Sequence, residues 1–131
     1  MFIDSSAATA ILLGESDADE LTLKLRGASP PLASPLVCYE TTLAVARARN
    51  IDIERAASVV ERMLLFYRFR SIGISEDIGR AAIIAFTRFG KGRHKASLNM
   101  GDCFSYACAR LHGVPILCKG NDFIHTDIKI A

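Results

Sequence analysis

The chain predicts an α/β fold with a mostly parallel sheet, and three observations carry that expectation. Short apolar runs at Met1-Phe2-Ile3 and Val114-Pro115-Ile116-Leu117-Cys118 read as strands, separated by longer segments of helical period. Those helical segments open on Ser, Asp or Pro and close on Gly or Asn, the residues that punctuate helices. Strands that alternate with helices imply a sheet covered on both faces.

The elements follow in order. After the strand Met1–Asp4, Ser5 or Ser6 caps a short helix through Leu13, which Gly14 ends. Ser16 or Asp17 starts a second helix, Ala18–Arg26, closed by Gly27. Ser29-Pro30-Pro31 breaks the chain ahead of a short strand near Leu32–Ala33. Ser34-Pro35 is a clean helix start, because proline at the first helical position lacks only an N–H that would go unpaired anyway. That helix runs to about Arg49 and stops at Asn50. Asp52 caps the next, whose inward stripe is Ile53, Ala56, Ala57, Val60, Leu64 and Tyr67. Ser71–Ile74 reads as a strand, and Ser75 caps a helix with the stripe Ile78, Ala81, Ala82, Ala85 and Phe89, stopped by Gly90. The last helix starts near Asp102 and ends at Gly113. It leads into Val114–Cys118, which Pro115 assigns toward a sheet edge, and a final strand covers Thr126–Ile130. The first strand is expected at the centre of the sheet.

Bulk properties narrow the class. At 131 residues, 50% hydrophobic and 23% charged, the chain is one globular domain (1–131) with a real core. No apolar run approaches the ~20 residues a membrane span needs. No basic n-region precedes a cleavable apolar stretch, so a cytoplasmic protein without a membrane partner is expected. The net charge of +2 does not by itself imply a polyanion partner. Arg88, Lys91, Arg93 and Lys95 nevertheless cluster around His94, where they could contact phosphates or simply form a solvated loop. Cys38, Cys103, Cys108 and Cys118 contain no C-x-x-C pair and read as reduced, buried hydrophobes. A zinc site from Cys103, Cys108 and His112 would need unusual spacing.

Three acids sit against their local pattern. Asp4 ends the first strand, where open α/β sheets place ligands. Glu40 lies among Leu36, Val37, Leu43 and Ala44 at helical spacing, and a buried carboxylate is costly unless paired or bound to a cation. Asp102 shares a helix face with Ser105, Tyr106 and Ala109, opposite Phe104, Ala107, Cys108 and Leu111. Each has an ordinary alternative: a cap for Asp4 or Asp102, and a partner such as Arg47 for Glu40. A phosphatase of the haloacid-dehalogenase kind needs a second Asp two residues after the first, and Ser6 stands there instead. Asp122 and Asp127 follow the strand Val114–Cys118, near the same edge as Asp4.

Taken together, these segments resemble PIN domains, specifically the VapC ribonuclease toxins of VapBC toxin–antitoxin pairs. The resemblance spans the chain. It is carried by Met1-Phe2-Ile3-Asp4-Ser5-Ser6-Ala7, Ser34-Pro35-Leu36-Val37-Cys38-Tyr39-Glu40-Thr41-Thr42 and Ala85-Phe86-Thr87-Arg88-Phe89-Gly90-Lys91-Gly92-Arg93-His94. Leu98-Asn99-Met100-Gly101-Asp102-Cys103-Phe104-Ser105-Tyr106-Ala107, Lys119-Gly120-Asn121-Asp122-Phe123 and Thr126-Asp127-Ile128 complete it. It implies a PIN-like three-layer α/β/α fold and an acidic triad, which falls on Asp4, Glu40 and Asp102. It also implies a fourth acid after the last main strand, either Asp122 or Asp127. Asp127 is preferred, because a Thr-Asp-Ile segment recurs in similar toxins. Ser6 matches a hydroxyl near the metal, and Asn99 stands close enough to help.

The activity implied is Mg²⁺-dependent endoribonuclease cleavage, with Mn²⁺ as a substitute, because hard cations prefer oxygen ligands. A water of lowered pKa would attack the phosphorus, so no side chain need act as a covalent nucleophile. Arg88, Lys91, Arg93 and Lys95 would hold the RNA backbone. A cognate VapB-type antitoxin and a homodimer are the implied partners, with surface on the helices that begin at Ile53 and Ile78. The alternative is a catalytically silent PIN-like module that binds RNA or protein.

Overall fold

The computed structural model describes residues 1–27 and 30–131, so the chain break expected at Ser29 falls partly outside the described residues. Four short strands form one parallel sheet: β1 (Phe2–Ile3), β2 (Leu32–Ala33), β3 (Arg70–Ser71) and β4 (Ile116–Leu117), in the order β3-β2-β1-β4. The register pairs Phe2 with both Leu32 and Ile116, and Leu32 with Arg70. β1 is interior, as its sequence suggests. The chain steps from β1 to β2 and β3 on one side, then returns to β4 on the other. That reversal places the sheet's switch point between β1 and β4, just beyond which Asp4 lies.

Among the described residues, six helices complete a three-layer α/β/α fold: α1 (Ser5–Leu13), α2 (Ala18–Arg26), α3 (Pro35–Arg49), α4 (Ile53–Phe66), α5 (Glu76–Phe89) and α6 (Met100–Leu111). α1 packs on α2 and α3, and α3 on α4. α5 packs on α6, which also touches α3, β1 and β4. The main core gathers Phe2, Ile3, Leu25, Leu98, Cys108, Ile116 and Leu117, all essentially excluded from solvent. At about 25 cal/mol per Å² of apolar surface, such side chains supply most of the drive to fold.

Helix starts match the sequence closely. Ser34, Asp52 and Ser75 cap α3, α4 and α5, accepting from the N–H groups of Val37, Arg55 and Ile78. Asn50 ends α3 in the left-handed region at φ 50°, where Asn is tolerated better than most residues. Two starts differ. Asp4, not Ser5 or Ser6, caps α1. α6 begins at Met100, with Asn99 as cap and Asp102 in its first turn. Asp17 precedes α2 without a capping bond, because its carboxylate instead meets Lys119 Nζ at 3.1 Å.

Several other expectations shift. Ile53 is exposed, so the inward face of α4 is Ala56, Val60 and Met63. β3 lies one residue earlier than expected, and β4 is shorter than Val114–Cys118. The final strand reduces to a 3₁₀ turn, Phe123–His125, plus a parallel bridge between Ile116 and Ile130. Ser105, Tyr106 and Ala109 are buried rather than facing a cleft, while Leu111 is exposed. α6 runs through the middle of the molecule, so one apolar stripe underestimates its burial.

Candidate active site

Asp4 is fixed first. Its backbone N–H donates to Leu117 O at 2.8 Å, which ties the ends of β1 and β4 together. Its Oδ2 caps α1 by accepting from Ser6 N at 2.9 Å and from Ser6 Oγ at 2.6 Å. Ser6 Oγ in turn accepts from Lys119 N at 3.0 Å, so the first residue pair past β4 is stitched to the start of α1. The side chain of Asp4 is 2% exposed, and its Oδ1 is buried without a hydrogen-bond partner. A buried carboxylate oxygen left unpaired is costly, and a bound cation would relieve that cost.

Glu40 approaches from α3. A Cβ added at Gly101 would lie 2.1 Å from Glu40 Oε1, so the carboxylate occupies the space a side chain at position 101 would take. The Glu40 carboxyl is pushed up from its ordinary value, mainly by burial and further by the charge of Asp4, with the Ser5 hydroxyl partly offsetting both. Asp102 comes from the first turn of α6. It forms a reciprocal capping box with Asn99, each side chain accepting from the other's backbone N–H, at 2.8 and 3.1 Å. Its carboxyl is raised to about 6, first by burial, with the capping bond opposing, and then by Asp4, Asp122 and Glu40.

The charges of Asp4, Asp122 and Glu40 all bear on Asp102, so these acids share one electrostatic neighbourhood. Burial and then the charges of Asp4 and Asp122 also push the nearby Cys118 thiol up to about 12, which keeps it protonated. Asp127 has partners of its own. Its carboxylate accepts from Tyr106 Oη at 2.5 Å and pairs with Arg88 at 3.1 Å and Arg110 at 3.4 Å. The Tyr106 bond above all, then Arg88 and Arg110, hold its carboxyl below the ordinary value. Asp127 is thus engaged by cations and a phenol. Arg88 is also diverted: beyond Asp127, its guanidinium lies 4.6 Å over the Phe89 ring.

Lys91, Arg93 and Lys95 are exposed on the loop after α5, and Asn99 is exposed beside Asp102. His94 is turned inward: its Nδ1 accepts from Ala96 N, and its ring meets Phe89 edge-on. The thiols of Cys103 and Cys108 are buried and pushed up to about 11, chiefly by burial, and all four cysteines are free. His112 Nδ1 lies against Cys108 O. None of this makes a zinc cage. Among the described residues, no three His, Cys, Asp or Glu side chains stand ready assembled as metal ligands.

Gly101 and Lys119 were not anticipated as parts of the site. A glycine in the first turn of a helix costs about 1 kcal/mol relative to Ala, and that was the available sign of a close approach at Gly101. Lys119, whose Nζ also meets Glu15, gave no such sign.

A PIN-domain family model matches residues 1–129. The chain belongs to the PIN domain family. Among its relatives are ribonuclease VapC30 of Mycobacterium tuberculosis, 37% identical over 134 residues covering 98% of this chain and 95% of the relative, and a VapC ribonuclease of Rhizobium meliloti, 36% identical over 139 residues covering 97% and 98%. Its fold is that of Mycobacterium tuberculosis VapC20, described as a sarcin–ricin-loop-cleaving toxin: TM-score 0.76, 20% identity, 99% of this chain and 97% of the other. A toxin–antitoxin complex from Klebsiella pneumoniae also matches, with TM-score 0.72, 18% identity and coverage of 99% and 95%. In this PIN domain, then, Asp4 follows β1 at the β1–β4 switch point, and its charge bears on Glu40 of α3 and Asp102 of α6.

Proposed function

We propose that this PIN domain is a Mg²⁺-dependent endoribonuclease toxin whose metal ion would be held by Asp4, Glu40, Asp102 and Asp122 at the mouth of the sheet. The single observation that carries the metal is Asp4 Oδ1, buried and without a partner beside two carboxyls that are pushed up first by burial and then by the charge of Asp4. Hard oxygen donors suit Mg²⁺ or Mn²⁺, and Mg²⁺ keeps several waters, so the acids need not form a closed cage. When bound, the ion supplies Lewis acidity, lowering the pKa of water and balancing charge at the phosphate.

The chain's own groups do the rest. Ser6 fixes the rotamer of Asp4 by occupying Oδ2. Glu40, wedged against the bare Cα of Gly101, is held between α3 and α6. Asp102, with its carboxyl near 6, gives up its proton at neutral pH and becomes an anionic ligand. Lys91, Arg93 and Lys95 supply exposed positive charge for the RNA backbone, in a salt-sensitive way. Arg88 is already paired with Asp127 and contributes less.

The names of the relatives support a ribonuclease, and the Klebsiella complex supports an antitoxin partner. Ile83, Phe86, Met100 and Phe104 line an apolar groove of about 400 Å³ between α5 and α6. In this reading an antitoxin segment sits there. Leu65 and Phe66, 77% and 73% exposed at the end of α4, form a second apolar surface that suits another copy of the chain. Among the described residues no helix is long and apolar enough to cross a membrane.

Cleavage of RNA by the purified protein, with Mg²⁺ or with EDTA, tests the proposal. Wild type should cut only with Mg²⁺, and Asp4→Ala and Asp102→Asn should lose nearly all activity while staying folded. Cutting in EDTA, or full activity in both variants, would overturn it. RNA binding without any cleavage would instead favour a silent module.

A further inference from the structure

The loop 119–127 joins β4 to the bridge at Ile130 and carries Asp122. It is fastened at both ends. At its start, Lys119 N donates to Ser6 Oγ at 3.0 Å. Beyond its end, Ile116 N donates to Lys129 O and Ala131 N to Ile116 O, each at 2.9 Å. Between these points Phe123 is buried, and Thr126 turns the chain by donating from Oγ1 to Phe123 O and accepting from Ile128 N. Asp127 then takes donors from two helices: Tyr106 and Arg110 of α6, and Arg88 of α5.

We propose that Asp127 is a positioning residue, a latch that fastens the Asp122 loop to α6 one helical turn beyond Asp102. The proposal rests on the metal-site reading above. The latch sits on the same helix as Asp102, so it fixes the loop relative to the acid that Asp122 must face. Tyr106 is its main partner. The arginine pairs are half-exposed and screened, whereas a buried phenol donating to a carboxylate is a strong, directional bond. Groups that orient metal ligands from behind commonly change metal affinity tenfold or more when removed.

The test is Mn²⁺ titration calorimetry on the full chain in a double-mutant cycle, with thermal melting as a check on folding. Asp127→Ala and Tyr106→Phe should each weaken Mn²⁺ binding about tenfold. In an Asp122→Asn background, neither should weaken it further, because the acid they position has lost its charge. Asp127→Asn, which still accepts from Tyr106, should recover part of the affinity. Equal losses in both backgrounds would reduce Asp127 to a general fold contact and overturn the latch. Unchanged Mn²⁺ affinity in folded Asp127→Ala or Tyr106→Phe would do the same while leaving the metal site intact. If the wild-type protein binds no Mn²⁺, the metal site fails and the latch falls with it. Should Asp127→Ala not fold, Tyr106→Phe decides.

Discussion

At the scale of single residues, the acids work against the fold until something neutralises them. The Asp102 carboxyl is raised to about 6 in the folded chain, above its ordinary value. The folded state therefore binds the proton more tightly than the unfolded one, and this contribution to stability is full below about pH 4 and lost as pH rises through about 6. Urea melts of the metal-free protein should show that fall between pH 4 and 7, and Asp102→Asn should flatten it. At pH 7 that variant should be more stable by roughly 1 kcal/mol, after allowance for solvent screening of a partly exposed group. Identical pH profiles for the two proteins would refute the electrostatic account. Gly101→Ala probes Glu40 from the other side. Its Cβ would fall 2.1 Å from Oε1, so the carboxylate has to swing away. Mn²⁺ affinity and RNA cleavage should both drop sharply, with the circular dichroism spectrum unchanged. Activity equal to wild type would mean that the position of Glu40 is immaterial.

At the scale of elements, most of what was legible lay in the caps. Ser34-Pro35, Asp52 and Ser75 announced helices that begin where those residues stand, because a side-chain oxygen that can reach an unpaired N–H leaves a local mark. Ser34→Ala should cost about 1 kcal/mol by urea unfolding, since its Oγ is buried and accepts from Val37 N. No change would mean the cap is dispensable. Asp4 at a strand end and Glu40 inside an apolar stripe were legible too, as acids withdrawn from solvent. Asp122 and Asp127 could not be told apart that way. Both follow β4 in a loop of turn residues, and what separates them is Tyr106 and Arg110 on α6 and Arg88 on α5, contacts far away in sequence. The final strand failed for a related reason: of the segment Thr126–Ile130 only Ile130 pairs with β4, through a single bridge to Ile116 that local alternation cannot foresee.

At the scale of the whole molecule, the strand order places β1 inside the sheet and the switch point between β1 and β4, where Asp4 lies. The apolar faces left uncovered predict assembly. Phe66→Lys should shift a dimer toward monomer in light scattering without loss of folding, and an unchanged mass would exclude the end of α4 as the contact. The most direct measurement on the central claim is an anomalous difference map from crystals soaked in Mn²⁺. A peak among the carboxylates of Asp4, Glu40 and Asp102 is predicted, vanishing in Asp4→Ala. Full occupancy at some other place, or no peak in wild-type crystals that tolerate the soak, would contradict it.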